Sequence, residues 1–367
     1  MHAPGPAAPD RLQQIAHARR TVMDEGGSTT DLLIHGWYEG AWITRSWRRC
    51  LDGGLRPQDP VAFDVLPREQ LRRVEEANHA LVSAARPVLE QLGRAIASTR
   101  YFAILTNQDG VVVDAHGPID RGDKRAALIT RIGVDLSERS VGTTAIGAAL
   151  TELQPVWLHR GEHFFQDTGC YSCAGAPLFG PDGECVGMLD LTGIDAPERP
   201  ELKHLVAQSA RSIENALTLA RAHRIVLRLN WPGGRLGDDD DGLVGLDDEG
   251  WVTGSNAAAR QMVPAMAQQA AQPVHCSELF AQPWEPLFDL ARAGEPAPVE
   301  LALWSGLRLA ALPQAGADAR TRVPLRDVEI ALIRQAVQQA RGNVMEAARS
   351  LGISRATVYR KLAQKKA

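Results

Sequence analysis

The sequence predicts a multidomain α+β protein that ends in an all-α domain. The chain has 367 residues, more than one ordinary domain needs. Apolar residues alternate like those of paired strands in the middle of the chain, but follow helical spacing near both ends. Apolar residues make up 44% of the chain, which is enough to fill several cores.

The first 98 residues are predicted to be a flexible N-terminus, 1–30, followed by a helical region, 31–98. The start, "MHAPGPAAPD", is rich in Pro and Ala. A short helix ends at Gly53-Gly54, and Pro67 opens a long periodic stretch, Arg68 to Ser98. The start lacks the basic and apolar regions of a signal peptide, and no apolar run approaches ~18 residues. We therefore expect a cytoplasmic, nucleoid-associated protein with no membrane partner.

Residues 99–222 carry two hairpin patterns. "YFAILTNQDGVVVDAHG" begins at Tyr101 and "AGAPLFGPDGECVGMLDLTG" at Ala174, each with a Gly-containing turn between apolar runs. A helix is predicted around residues 141–151 and a longer one at 199–222. Strand pairs separated and closed by helices predict a sheet covered on one side, the arrangement of a small-molecule sensor domain.

Residues 223–241 are predicted to be a linker, because they are rich in Pro and Gly and end in four solvated acids, Asp238–Asp241. Calcium binding by this run is disfavoured, since it lacks alternating ligands and a turn glycine. In residues 242–313 a strand, a turn and a strand precede a helix capped by Asn256, and 299–312 supply closing strands. Residues 314–323 are a second predicted linker.

Residues 324–367 hold three short helical patterns. The helix Asp327 to Ala340 has two apolar stripes, one for a core and one for a partner. Asn343 caps the second helix, Gly352 ends it, and Ser354 caps a third in which Val358 faces inward. Helix, Gly-containing turn and helix is the spacing of a helix-turn-helix domain.

Charge separates this C-terminal segment from the rest of the chain. From residue 322 onward there are ten Lys/Arg and three Asp/Glu, a net charge of +7, whereas the whole chain carries −4. A basic module on an acidic body favours a phosphate-binding surface. The alternative is a helical hairpin with a solvated basic face.

The stretch "GNVMEAARSLGISRATVYRKL", residues 342–362, resembles the Fis-type DNA-binding domain that closes many bacterial transcription regulators. The resemblance implies double-stranded DNA as a partner. Arg355 projects from the helix N-terminus, where base edges are reached, whereas Arg360 and Lys361 lie where phosphates pass. The predicted DNA-binding residues are Asn343, Ser354, Arg355, Thr357, Tyr359, Arg360 and Lys361.

A broader resemblance covers roughly residues 30–220. The segments "SWRRCLDGGLRP", "SVGTTAIGAAL", "GEHF" and "CAGAPLFGPDGECVGMLDLTG" resemble the sensory half of the acetoin-catabolism regulators. That family places a GAF domain ahead of an ATPase and a Fis-type tail, so a GAF-like sensor is expected here. Residues 242–313 faintly resemble the start of a PAS domain. The sequence departs from the family at Thr144 and Tyr171, so the family's ligand is not carried over.

The expected effector is a small, largely uncharged organic molecule. Its site would have apolar strand residues as walls and few polar groups, for which the sequence offers His163, Cys173 and Asp190. No cofactor is predicted.

Cysteine and histidine patterns leave further alternatives. Five cysteines, an odd number scattered through a large chain, argue against a disulfide framework, but Cys170 and Cys173 form a C-x-x-C pair. The pair is either packing thiols or a redox or metal switch. "HRGEH", residues 159–163, fits a zinc pattern, but Gly161 argues against the continuous helix that this pattern needs.

The sequence contains no G-x-x-x-x-G-K-[ST] motif, so no phosphate-binding P-loop is predicted. We expect a non-enzymatic transcription regulator that forms a homodimer, because helix-turn-helix proteins read paired half-sites. RNA polymerase or an ATPase-bearing relative is a further expected partner. The rival hypotheses are a GAF-type redox or metal enzyme using Cys170, Cys173 and His163, and a scaffold that only occupies a relative's DNA sites.

Overall fold

The computed structural model describes residues 11–24, 41–268, 272–292, 297–316 and 343–355, together with residues 333, 336, 337, 340, 357 and 358. It shows a mixed α/β chain with two five-stranded antiparallel sheets, as the alternating patterns predict. In these described residues no helix is both long and apolar enough to cross a bilayer.

The secondary structure elements follow in chain order. The strands are β1 (Tyr101–Asn107), β2 (Val112–His116), β3 (Val156–His159), β4 (Tyr171–Phe179), β5 (Cys185–Ile194), β6 (Ile225–Asn230), β7 (Gly242–Leu246), β8 (Val252–Ser255), β9 (Val299–Ala302) and β10 (Arg308–Ala315). The described α-helices are α1 (Arg11–Arg19), α2 (Ala41–Asp52), α3 (Arg68–Ala77), α4 (His79–Ala95), α5 (Lys124–Ile129), α6 (Glu138–Val141), α7 (Ala145–Glu152), α8 (Leu202–Ala220), α9 (Ala257–Met262), α10 (Cys276–Leu279), α11 (Glu285–Arg292) and α12 (Val344–Ser350).

Residues 11–24 are helical, which corrects the expectation of a flexible N-terminus for this part of 1–30. Helix α1 continues into a π-helical turn, Arg20–Asp24. The apolar side chains of Ala18 and Val22 are buried against Trp47 and Phe164. The Pro/Ala-rich start hides this pattern, because the partners of the helix lie far away in sequence.

The first sheet belongs to the sensor domain and has the order β2-β1-β5-β4-β3. Its hairpin turns place Gly110 and Gly183 at φ +81° and +90°, as the Gly-containing turns predict. One face packs on α4 and α8, and the other on α5, α6 and α7. The prediction that only one face is covered was wrong. Every residue of β1 is buried, so alternate side chains enter two different cores.

The second sheet has the order β8-β7-β6-β10-β9, with β6 at its centre. Strand β6 lies inside the segment 223–241 that the sequence analysis assigns to a linker, so that assignment is corrected for these residues. Pro232 and Gly233 follow β6 and only mark the turn into the next strand. Asp247–Gly250 forms the predicted turn between β7 and β8, and Asn256 caps α9. The PAS-like assignment of this domain stays a prediction.

Of the four acids before β7, Asp238–Asp240 are exposed, as the solvated run predicts, whereas Asp241 is a second correction because it is buried. Ser212 of α8 donates to Asp239 Oδ2 over 2.6 Å, and Arg211 pairs with Asp240 at 2.6 Å. Asp241 is fully buried and accepts from the Gly237 amide. Asp239 and Asp240 therefore contact α8 at the protein surface, whereas Asp241 is bonded within the second domain.

Candidate functional site

A small cavity lies in the sensor domain, between the sheet face of β4 and β5 and the helices α6 and α7. Its volume is about 30 Å³, and its walls are mostly apolar. The structure brings all three predicted effector residues, His163, Cys173 and Asp190, into this one cavity. Their role in binding an effector stays a prediction. Thr144 and Tyr171, where the sequence departs from the regulator family, line it as well.

Asp190 lies in the middle of β5 and is fully buried. Thr192 donates a hydrogen bond to its Oδ2 atom, whereas Oδ1 has no hydrogen-bond partner in the described part of the chain. Burial raises the pKa of Asp190 to about 7. The cavity thus contains a carboxyl group that the surrounding side chains stabilise poorly as an anion.

His163 follows the 3-10 turn Arg160–Glu162 and is also buried. Its Nδ1 atom lies 2.9 Å from the Arg160 carbonyl oxygen, which can only accept, so Nδ1 carries the proton. Burial lowers the pKa of His163 to about 4, so the ring is neutral near pH 7. Its Nε2 atom is then a bare acceptor, and it has no partner among the described residues.

The Cys170 and Cys173 thiols form different hydrogen bonds. Cys173 is buried with Sγ 3.4 Å from Thr192 Oγ1, whereas Cys170 precedes β4 and contacts the Asp167 carbonyl oxygen at 3.8 Å. Burial raises the pKa of both thiols, well above the ordinary value for Cys173. A redox switch needs an accessible thiolate. Packing is the better interpretation of this pair.

The "HRGEH" segment does not form a zinc-binding helix. His159 ends β3 and Nδ1 lies 2.8 Å from Ser172 Oγ, while Glu162 pairs with Arg11 at 2.8 Å. Burial raises the pKa of Glu162 to about 7. Across the described ranges no group of three or more His, Cys, Asp and Glu side chains could hold a metal ion.

The loop that carries His163 is held by residues that the sequence analysis did not single out. Arg19 of α1 donates to the carbonyl oxygens of Gly161 and Phe164 at 2.8 and 2.9 Å. The Trp47 indole donates to the Glu162 carbonyl oxygen at 2.9 Å. No local pattern could reveal these contacts, because their acceptors are main-chain atoms more than 100 residues away.

The C-terminal segment shows the caps that its sequence predicts. Asn343 Oδ1 accepts from the Met345 amide at 3.1 Å, and Ser354 Oγ accepts from the Thr357 amide at 3.1 Å. Gly352 has φ +67°, which ends α12. Among the described residues of this segment, Ile333, Ala348 and Val358 form a buried cluster.

Among the predicted DNA-binding residues, Asn343, Ser354 and Arg355 are exposed and Thr357 is half-buried. Asn343 and Ser354 have a structural task as caps. Tyr359, Arg360 and Lys361 lie outside the described residues. Arg355 is thus exposed and has no capping role, and its contact with DNA stays a prediction.

Two sequence families match the chain. Residues 324–364 match "Bacterial regulatory protein, Fis family", and residues 43–215 match "MimR, N-terminal domain". The chain carries a Fis-type helix-turn-helix domain behind an N-terminal sensor domain. The second match includes every residue that lines the cavity.

Homologues of the chain are transcription regulators of the acetoin and MimR type. It is 32% identical over 258 residues to the acetoin catabolism regulatory protein of Cupriavidus necator, covering 68% of this chain and 38% of that protein. It is 29% identical over 177 residues to the acetoin dehydrogenase operon transcriptional activator AcoR of Bacillus subtilis, covering 48% and 29%. The chain thus spans less than two fifths of the length of these relatives.

Among solved structures, the chain is similar to the crystal structure of the Escherichia coli DhaR(N)-DhaL complex. The TM-score is 0.45 at 16% identity, covering 74% of this chain and 99% of that chain.

Proposed function

We propose that this protein is a transcription regulator whose Fis-type domain binds specific DNA sites under the control of a small molecule in its GAF-like sensor domain. The observation that supports this most directly is the combination of a capped helix-turn-helix segment, matching the Fis family at 324–364, with a sensor domain that contains a cavity. The net charge of +7 after residue 321 favours a phosphate-binding surface.

The walls of the cavity are held by side chains of the N-terminal helices α1 and α2. Helix α6 borders the cavity, and its Glu138 accepts hydrogen bonds from Ser46 and Arg49 of α2. The loop after β3 carries His163 and is held by Arg19 of α1. A ligand that fits one arrangement of these walls better than another shifts the population of the two arrangements. In a homodimer, such a shift changes the spacing of the two DNA-binding domains.

Arg355→Ala is expected to weaken binding to the specific DNA site by about 1–3 kcal/mol and to relax sequence preference, because Arg355 would contact base edges. Lys361 is a proposed phosphate contact. Lys361→Ala is therefore expected to weaken binding to all DNA sequences alike and to reduce the salt dependence of the affinity. Titration of full-length protein against its operator and against random DNA at several salt concentrations measures both effects. Equal losses on both DNAs for both variants would contradict this division of roles.

The second part of the proposal is that regulation proceeds without ATP hydrolysis by this chain. The acetoin-catabolism regulators resembled here use a central ATPase to remodel polymerase that carries sigma-54, and that work requires a P-loop. This sequence has none. Regulation would then proceed by site occupancy, by polymerase recruitment or by competition with an ATPase-bearing relative.

Reconstituted transcription tests this second part. We expect no ATP hydrolysis by the purified protein and no open complexes on a sigma-54 promoter when it is the sole activator. Open-complex formation that depends on ATP hydrolysis by this chain would refute the proposal.

The alternative of a redox or metal-dependent enzyme has less support. It would need an ionised thiol at Cys170 or Cys173, whereas burial raises the pKa of both. His163 would have to serve as a metal ligand, yet no suitable cluster exists in the described part of the chain.

A further inference from the structure

The wall of the sensor cavity contains an acidic side chain but no cationic one, which limits the kind of ligand that it binds. Asp190 is the acidic residue in its wall, and the wall contains no Lys or Arg. His163, the remaining basic group there, is buried and neutral. An ionised carboxylate in such a place costs several kcal/mol unless a cation or several donors stabilise it.

Hydrogen-bond donors are scarce in the same cavity. The hydroxyl groups of Thr168, Thr192 and Tyr171 donate to the Phe165 carbonyl oxygen, to Asp190 and to the Arg125 carbonyl oxygen respectively. Two buried atoms of side chains that line the cavity have no hydrogen-bond partner in the described protein, Asp190 Oδ1 and His163 Nε2, and both are acceptors when Asp190 is ionised. A ligand that satisfies both must bring at least two hydrogen-bond donors.

We propose that the sensor cavity binds a small aliphatic amine as its ammonium ion, which donates hydrogen bonds to Asp190 Oδ1 and His163 Nε2. This inference rests on the proposed function and narrows its effector from an uncharged molecule to a cationic one. A neutral diol would also bring two donors, but it would leave the charge of Asp190 uncompensated. The aromatic ring of Tyr171 in the wall adds a favourable surface for a cation.

The size of the cavity limits the ligand. A volume of about 30 Å³ accommodates a single water-sized group. An ammonium group is of that size, so the alkyl chain of a short amine requires apolar walls such as Ile146 and Val141 to move apart. We therefore expect amines of a few carbon atoms to bind and bulky amines not to bind.

Matched pairs of amine and alcohol test the proposal on the unaltered full chain. Isothermal calorimetry at pH 7.5 with isopropylamine against 2-propanol, and with ethylamine against ethanol, compares ligands of the same shape that differ in charge. We expect the dissociation constant of each amine to be at least tenfold below that of its alcohol, which corresponds to about 1.4 kcal/mol. 1,2-Propanediol is expected to bind more weakly than isopropylamine.

Asp190→Asn tests the role of the carboxylate, because the amide keeps the shape and removes the charge. It should reduce the preference for amine over alcohol to less than about threefold. Glu214→Gln is the matched control. Glu214 is another buried carboxylate of the sensor domain whose pKa burial raises to about 7, but it lies outside this cavity and accepts from the Phe179 amide. The control should keep the full preference.

The outcomes separate this inference from the proposed function. Equal or tighter binding of the alcohols, no binding by any member of the panel, or the same loss in Glu214→Gln as in Asp190→Asn would overturn the amine inference. Operator binding by the same samples is measured in parallel. Amine binding that leaves operator affinity unchanged would support the ligand class and contradict the effector role. The amine and alcohol comparison requires no variant, so it stands even if Asp190→Asn fails to fold.

Discussion

Asn256→Ala is expected to lower the free energy of unfolding by about 4 kcal/mol and to loosen the second domain from the sensor domain. Asn256 is 2% exposed, and its side-chain amide group forms hydrogen bonds with residues of both domains. Its Nδ2 donates to Asn215 Oδ1 and the Asp241 carbonyl oxygen at 2.7 and 2.8 Å. Its Oδ1 accepts from the Leu243 and Ala259 amides at 2.8 Å each. The substitution leaves four buried groups without this partner.

Denaturant unfolding of the full chain measures this loss, and limited proteolysis reports on the domain contact. Asn78→Ala is the control, because Asn78 is half-buried and its side chain donates only locally, to the Val74 carbonyl oxygen of the preceding helix α3. We expect the control to cost less than about 1 kcal/mol. Similar losses for the two variants would show that Asn256 does not join the domains.

Trp47→Ala is expected to cost about 3–5 kcal/mol, the range for removing a large buried side chain. Trp47 belongs to α2 and is fully buried. The Arg19 guanidinium lies 5.6 Å from its ring centroid. Its indole also donates to the Glu162 carbonyl oxygen. Trp47→Ala should therefore disturb the packing of the sensor cavity as well as that of the N-terminal helices.

Thermal unfolding followed by ligand titration tests both effects of Trp47→Ala. Trp304→Ala is the control, since Trp304 is 69% exposed and should cost less than about 1 kcal/mol. Unchanged ligand affinity in a folded Trp47→Ala protein would show that the loop is held without the indole.

Features that depend on a few neighbouring residues could be predicted from the sequence. The caps at Asn343, Ser354 and Asn256 form hydrogen bonds to amides two or three residues away, so residue type and spacing suffice to identify them. The hairpin turns at Gly110 and Gly183 are equally local. These features led to the sheets and to the helix-turn-helix segment.

Features that depend on distant contacts were missed or remained incomplete. Strand β6 was assigned to a linker, because its place between β7 and β10 is decided by residues 13 to 90 positions away. All four acids were expected to be solvated, although Asp241 is fully buried and pairs with Arg228 of β6 at 3.2 Å. Helix α1 was also missed, since its apolar residues form a core only together with Trp47 and Phe164.

Residue types and their spacing were enough to predict a basic, capped helix-turn-helix segment after an α+β sensor region, and to identify polar candidates for the sensor site. The packing of the folded chain places His163 and Asp190 in the wall of one cavity, where each has a buried atom with no hydrogen-bond partner in the described protein. The physical reason is that burial, protonation and the supply of donors depend on the packing of several elements at once. None of these three properties can be inferred from residue type alone.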